Sequence, residues 1–586
     1  MHKRTSARLS VSLLFLFLRL IPALSQTVIT VDAGKVLSQV RNKPIGINMD
    51  YLMDDDGAGS EARLTEPKTT AALKQMGVKF LRFPGGEKAD NYLWSVAPWT
   101  KADPHFARTG SCEWPSGESR FSTDNYSRPA PSTLDFDEFM QICRTVNGEP
   151  LIVVAYDAMY KTIAPGCTGT VTTRQELLEN AVQWVRYANI VKGYHIKYWM
   201  IGNESYNDSY NGKATAAQYK DDVIEFSRKM KAVDPTIKII ANGDNEAWWS
   251  TVLPAAGSDI DFLGVSNYPV QQFQGGYEFY RTHEVPLTDA VNTAYKAIQQ
   301  YASVVRRDKI KVITTEFNAI DWGKDWANVN DLGHALATFE ILGAHVVDPH
   351  LEAALMWNTR WVNNATSTND LYDAIDKDGH LEPNALAMSL LGNNLLDEMV
   401  SIGNTVGVRS FASYQAGTDQ LNVFLINKEL TDQSIQLDLQ HYIKEGTVEV
   451  TRFGGTNPSD LSPHLEKQVQ VAFTDAMKRV ELPPVSITLL RFSRSTPAGM
   501  HAMASSSLHM QVFPNPTTDN VKVRFVNPGK QMVKVSVYAT NGNLVFTKNT
   551  YAEEEVQINT AGWPRGMYLM RSQYGEQQET QKLLLY

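Results

Sequence analysis

Cysteine is scarce in this chain, three in 586 residues, which excludes a fold stapled together by disulfides. Basic charge is not in excess. Lys and Arg total 55 against 64 Asp and Glu, a formal net charge of −9. That is the wrong sign for a surface built to meet phosphates, so no nucleic-acid partner is expected. No GxGxxG or GxxxxGK[ST] loop occurs, and no H-E-x-x-H, paired CxxC or EF-hand loop. Nucleotide cofactors and resident metals therefore lack their usual cradles, and neither is expected. The acidic turn Asp54-Asp55-Asp56-Gly57 reads as a solvated loop. Past the N-terminus no apolar run is long enough to cross a bilayer, so the mature chain is expected to have no stable membrane span. Apolar residues make up 43% and charged residues 20%, the values of a globular protein.

The ends and the middle of the chain read differently. Lys3, Arg4 and Arg8 precede the apolar run Val11–Leu18, and Ala23-Leu24-Ser25 places small residues before Gln26. This is the pattern of a cleaved signal peptide over 1–25. Export permits a disulfide, and Cys112 and Cys167, both in loop-like sequence, are available to pair. Cys143, in the helical pattern DFDEFMQICRTV, reads as a buried thiol. From 41 to 385 eight short β-rich runs alternate with helical stretches. They are Pro44–Asn48, Lys79–Phe83, Leu151–Tyr156, Tyr198–Gly202, Ile237–Ala241, Phe262–Ser266, Lys311–Thr315 and Ala353–Trp357. Eight strand-then-helix units predict a (β/α)8 TIM barrel. An open doubly wound sheet is the rival, and the missing phosphate loop disfavours it. Over 386–493 short β runs separated by turn residues predict an antiparallel β-sandwich, to which a strand at 26–40 is expected to add. A small polar linker over 494–507 leads to a further small all-β module, 508–586.

The chemistry is expected where strands end. In such a barrel, polar side chains at the C-terminal strand ends face the mouth. Strand four ends Ile201-Gly202-Asn203-Glu204, and strand seven runs into Thr314-Thr315-Glu316-Phe317-Asn318. Strands four and seven lie on opposite sides of an eight-strand ring, so Glu204 and Glu316 would face one another. Two converging carboxyls suit acetal cleavage, one protonating the leaving oxygen while the other attacks or activates water. Twelve Trp are present. Trp248, Trp249, Trp322, Trp326, Trp357 and Trp361 all follow or end strands where a sugar face would stack or where they would pack under loops. Trp357 is the strongest candidate for the mouth.

These residues carry a resemblance. Asn203-Glu204 with Glu316 resembles the signature of the clan A retaining glycoside hydrolases. LRFPGG (Leu81–Gly86) with Tyr92 and Trp94, YWMIGNE, TEFN and the closing strand Leu482–Phe492 are similar to family 51, the α-L-arabinofuranosidases, over roughly residues 27–493. The resemblance implies Glu204 as general acid/base and Glu316 as nucleophile. It implies that Asn203 binds the sugar hydroxyl beside the reacting carbon, that Arg82 keeps Glu316 ionised, and that Tyr268 touches Glu316 or the sugar. Two positions depart from the family. Its first-strand glutamate falls at Asp50, and the asparagine after its PGG falls at Glu87, which shortens one carboxylate and adds a charge. Xylosidase and endo-glycanase activities of the same clan therefore stay open beside arabinofuranosidase, as do transglycosylation and a non-catalytic polysaccharide-binding role.

Phe513-Pro514-Asn515-Pro516, the hairpin Asn541-Gly542-Asn543, Gly566-Met567-Tyr568 and the terminal QKLLLY resemble a type A sorting domain of the type IX secretion system. That implies the secretion machinery as a partner and a secreted or cell-surface location. The expected substrate is a plant or algal polysaccharide or its oligosaccharides.

Overall fold

The computed structural model describes residues 27–51, 68–112, 134–160, 162–207, 214–271, 273–360, 370–376, 378–443, 445–467, 471–473, 477–494, 509–526, 532–540, 542–551, 555–574 and 577–586. The signal-peptide region, Asp54–Gly57, Trp361, Asn541 and nearly all of the 494–507 linker lie outside the described residues. The chain divides into two compact units after Ser495.

The first unit contains a closed ring of eight strands. They are β1 (Ile45–Asn48), β2 (Phe80–Phe83), β3 (Glu149–Val154), β4 (Tyr198–Ile201), β5 (Lys238–Asn242), β6 (Phe262–Asn267), β7 (Lys311–Phe317) and β8 (Leu351–Met356). Every ladder is parallel, and β8 closes on β1 through Ala354 and Ile45. The barrel read from the sequence is present, strand for strand. Period-two alternation builds it. Phe80, Leu151, Val153, Tyr198, Met200, Ile240, Phe262, Ile313, Ala353 and Leu355 fill the inside. Their neighbours Leu81, Ile152, Val154, Trp199, Ile201, Leu263, Ala354 and Met356 pack outward against the helices. The helices begin where capping chemistry allows. Asp135, Thr173 and Thr215 each close a capping box with the residue three positions on, satisfying the first free backbone donors. The helix Arg174–Val185 continues as a π-turn over Arg186–Val191.

Strand β7 carries a defect that matters. Val265 of β6 pairs with Thr314, but the next residue, Ser266, pairs with Glu316. On the other side Thr314 pairs with Ala354 while Phe317 pairs with Met356. Relative to both neighbours, β7 holds one extra residue, a β-bulge at Thr315. Ile313 lies inside the barrel, so strict alternation would turn Glu316 outward. The bulge returns it to the mouth.

The sequence after the barrel forms β9 (Glu398–Ile402), β10 (Val408–Gln415), β11 (Gln420–Asn427), β12 (Gln433–Gln440), β13 (Gly446–Gly454) and β14 (Ser486–Arg494). They join one ten-stranded sheet in which the N-terminal strand Thr27–Gln39 lies between β9 and β12, antiparallel to the first and parallel to the second. The sheet curls over its own core of Ile29, Val31, Val423, Leu425, Leu437 and Leu490. Its other face, with Phe411, Phe424, Ile426 and Leu489, belongs to the core of the barrel helices. With both faces buried, the middle of β11, Val423–Ile426, reads as a continuous apolar run.

The second unit has a three-stranded and a four-stranded sheet around a core drawn from Met510 to Leu585. Its hairpin Met532–Ala539 and Leu544–Tyr551 is antiparallel. In the first unit Cys112 and Cys167 form a disulfide, and Cys143 is buried and free.

Candidate active site

The site is built from the ends of β1, β2, β4, β6, β7 and β8. Arg82 is fully buried at the end of β2. Its Nη1 donates to Asn48 Oδ1 at 2.7 Å and to Glu316 Oε1 at 3.0 Å, and its Nη2 donates to Asn203 Oδ1 at 2.5 Å. Asn48 is held in turn, its Nδ2 donating to the carbonyls of Thr315 and Met356 at 2.9 and 3.1 Å. One guanidinium thus ties the ends of four strands together. Tyr268, just past β6, donates its hydroxyl to Glu316 Oε2 at 2.8 Å. Both oxygens of Glu316 therefore accept a hydrogen bond.

Glu316 is buried, and this sets its titration. Burial pushes its carboxyl up to about 7. Arg82 and the Tyr268 hydrogen bond pull it down, while the charges of Glu204 and Glu87 add to the rise. The resemblance implied that Arg82 keeps Glu316 ionised. Arg82 acts in that direction, but desolvation outweighs it. Glu204 is half-buried, with Tyr206 Oη donating to Oε1 and Asn207 Nδ2 to Oε2, each at 3.3 Å. The Tyr268 hydroxyl is raised well above its usual range by burial and by the charges of both Glu316 and Glu204. The charges of both carboxyls thus reach the Tyr268 hydroxyl.

Backbone closeness shapes the wall opposite. At Gly86 a Cβ would lie 2.6 Å from Trp357 Cη2 and 2.9 Å from Glu316 Oε1, so only glycine fits between the indole and the carboxylate. Trp357 is buried beside Ile320 and Leu371, with Tyr268 packed against the cluster. Trp322 is 44% exposed, and its ring centroid lies 5.4 Å from that of Tyr268. Trp248, Trp249 and Trp326 are packing residues. Trp248 and Trp249 lie in the helix after β5 and belong to the main core. Trp326 is enclosed by Phe273, Tyr277, Tyr280 and His334.

Asp50 and Glu87 have a partner that sequence reading missed. Lys88, 3% exposed, donates to Glu87 Oε1 at 2.7 Å and lies 3.5 Å from Asp50 Oδ2. Burial pulls its ammonium down, but Glu87 and Asp50 together hold it above the usual lysine value. The charge that Glu87 adds to the wall is thus offset by its neighbour. Lys88 gave one signal, a cation directly after the departure at Glu87. Asn48 gave a weaker one, a polar residue ending an apolar strand. Among the described residues no group of three or more His, Cys, Asp or Glu could hold a metal ion.

Residues 72–284 match the family model described as Alpha-L-arabinofuranosidase 1 domain. The chain is arabinofuranosidase-like. That matched segment holds Arg82, Asn203, Glu204 and Tyr268, while Asp50, Glu316 and Trp357 lie beyond it. An intracellular exo-α-(1→5)-L-arabinofuranosidase of Acetivibrio thermocellus is 26% identical over 211 residues, 33% of this chain and 37% of the relative. A probable α-L-arabinofuranosidase C of Aspergillus fumigatus is 27% identical over 198 residues, 30% of this chain and 32% of the relative. The match thus spans about a third of the length of these curated relatives. Among solved structures, the α-L-arabinofuranosidase of Thermotoga maritima matches with a TM-score of 0.60 at 20% identity, covering 80% of this chain and all of that one. A family 44 xyloglucanase of Paenibacillus polymyxa matches with a TM-score of 0.53 at 13% identity, again covering 80% of this chain and all of that one. At these identities the likeness is one of fold. The C-terminal part of the arabinofuranosidase-like chain, residues 511–586, matches the Secretion system C-terminal sorting domain.

Proposed function

We propose that this chain is an exported retaining glycoside hydrolase, cleaving O-glycosidic bonds of a plant or algal polysaccharide or its oligosaccharides by double displacement, with α-L-arabinofuranosides as the first substrate class to test. The observation that carries this reading is the contrast between the two carboxyls. Glu316 receives hydrogen bonds on both oxygens from groups fixed by the barrel. Glu204 stands half-buried at the end of β4, across the ring from β7. The arrangement suits Glu316 as the nucleophile and Glu204 as the acid/base.

Burial alone would leave Glu316 partly neutral near pH 7. Attack requires its ionised form, whose charge Arg82 and Tyr268 are placed to receive. The relatives' names support the sugar, and the sorting-domain match supports export to the cell surface or medium. Asn203 and Trp357 are read as sugar-binding groups on the same wall.

Aryl α-L-arabinofuranosides and aryl β-xylosides, with arabinan, xylan and xyloglucan as polymers, form the deciding panel. Product configuration followed by NMR should be retained. Glu316→Ala should lose roughly ten-thousand-fold or more in kcat/KM, with no rescue by azide in the retained configuration. Glu204→Ala should lose about a hundredfold or more on poor leaving groups yet keep turnover on dinitrophenyl glycosides. The reverse pattern would exchange the two roles, and inverted product would end the double-displacement reading.

A further inference from the structure

The turn that carries Glu204 is held by buried groups that the chemistry itself does not use. Glu204 has φ 47°, in the left-handed region, directly after Gly202 at φ 69° and Asn203. A non-glycine residue keeps that conformation where its surroundings enforce it. Here they do so from three sides. The Asn203 N–H donates to Asp90 Oδ1 at 3.3 Å, and the Ser205 N–H donates to Asn242 Oδ1 at 2.8 Å. The Ser205 hydroxyl donates to Asp157 Oδ2 at 2.8 Å. Asn242 Nδ2 binds the Ile201 carbonyl at 2.9 Å and Ser205 Oγ at 3.0 Å. All four side chains are at most 2% exposed.

These groups come from separate parts of the barrel rim. Asp90 lies in the short 3-10 helix Glu87–Asn91 after β2, Asp157 in the turn Asp157–Met159 after β3, and Asn242 ends β5. The packing leaves no slack. A Cβ at Gly202 would lie 2.6 Å from Ser205 Oγ and 2.7 Å from Asp157 Oδ2. Burial and the charge of Asp90 push the Asp157 carboxyl well above its usual range.

We propose that Ser205 and Asp157, backed by Asp90, are positioning residues for Glu204, fixing the Gly202–Ser205 turn so that the Glu204 carboxyl is aimed at the leaving-group oxygen. The proposal rests on the reading of Glu204 as the acid/base. A general acid misplaced by about 1 Å loses on the order of a hundredfold of its contribution. That loss falls on reactions that need protonation and spares those that do not. A purely structural role would instead lower stability or affect every substrate alike.

The test uses the full chain with Ser205→Ala, Asp157→Ala and Asp157→Asn, and a series of aryl glycosides graded by leaving-group pKa. Ser205→Ala and Asp157→Ala should each lose about 10- to 100-fold in kcat/KM on the poorest leaving group and less than about threefold on the dinitrophenyl glycoside, steepening the leaving-group dependence. Asp157→Asn keeps an oxygen acceptor for the Ser205 hydroxyl and should recover most of what Asp157→Ala loses. Ser205→Ala removes a single oxygen, so it decides the matter if Asp157→Ala fails to fold. An equal loss on all leaving groups, or no loss in a folded Ser205→Ala, overturns the proposal. Glu204→Ala in the same series separates the two failures. If it shows no leaving-group dependence, the acid/base reading falls and the clamp with it. If it does and Ser205→Ala does not, the clamp alone falls.

Discussion

Glu316 shows how a single side chain links burial, charge and pH. Its carboxyl stands near 7 in the folded chain against an ordinary value of 4.5. Between those pH values the folded chain holds a proton that the unfolded chain has released. Raising the pH across that window therefore costs stability, by about 1.4 kcal/mol per pH unit for one group, and the loss levels off above 7. Glu316→Gln has no such proton. The stability difference between variant and wild type, from denaturant unfolding at pH 5, 6, 7 and 8, should widen in the variant's favour up to about pH 7 and then stay constant. Parallel curves would show that burial does not raise this group. At this scale Glu204 and Glu316 were legible from their strand ends, while the approach of Arg82 and Tyr268 to Glu316 was legible only through the family resemblance. Lys88 was not legible. A lysine beside a glutamate reads as a solvated pair, and only the approach of β1 through Asp50 buries it.

Among the elements, the eight barrel strands were legible because each is a short apolar run bounded by polar residues. The bulge in β7 was not, because KVITTEF alternates equally well with or without an extra residue. Only the pairing partners, Ser266 and Met356, reveal it. The site carboxylate thus owes its direction to a register change set by neighbouring strands. The 3-10 helix Glu87–Asn91 is a second element of this kind. One turn supplies Glu87 and Lys88 to the pocket wall and Asp90 to the turn that bears Glu204, and Lys88 ties it to Asp50 beyond β1. Lys88→Met removes the cation from beside the buried Asp50 and the part-exposed Glu87. It should destabilise the chain by about 3 kcal/mol, because an uncompensated buried charge costs more than the pair contributes. Adding Asp50→Asn should recover most of that in equilibrium unfolding. A single variant as stable as wild type would mean that water reaches the cluster.

For the molecule as a whole, the second unit and the ten-stranded sheet differ in how far each can be removed from the rest. The core of the second unit draws only on residues from Met510 to Leu585. Deleting residues 508–586 should leave the melting temperature and turnover of the rest almost unchanged while abolishing surface display in the native host. The ten-stranded sheet has no such independence. The helix Leu332–Val347 is buried along nearly its whole circumference. Phe339 meets Phe411 and Phe424 of the sheet at ring separations of 6.3 and 5.9 Å, and Glu340 binds Arg409 and Lys428. Deleting from Ser401 onward strips that helix and should yield insoluble protein. Soluble yield, melting temperature and turnover of both truncations check this, and a soluble, active barrel would refute it. The N-terminal strand has a consequence for how the chain comes into being. It is made well before its partners, β9 emerging roughly 370 and β12 roughly 410 residues later. During synthesis it is an orphan edge with an alternating apolar face, open to pairing with other nascent chains. The first unit therefore cannot complete this sheet until β12 has been made, and residues 27–39 must be kept from mispairing until then.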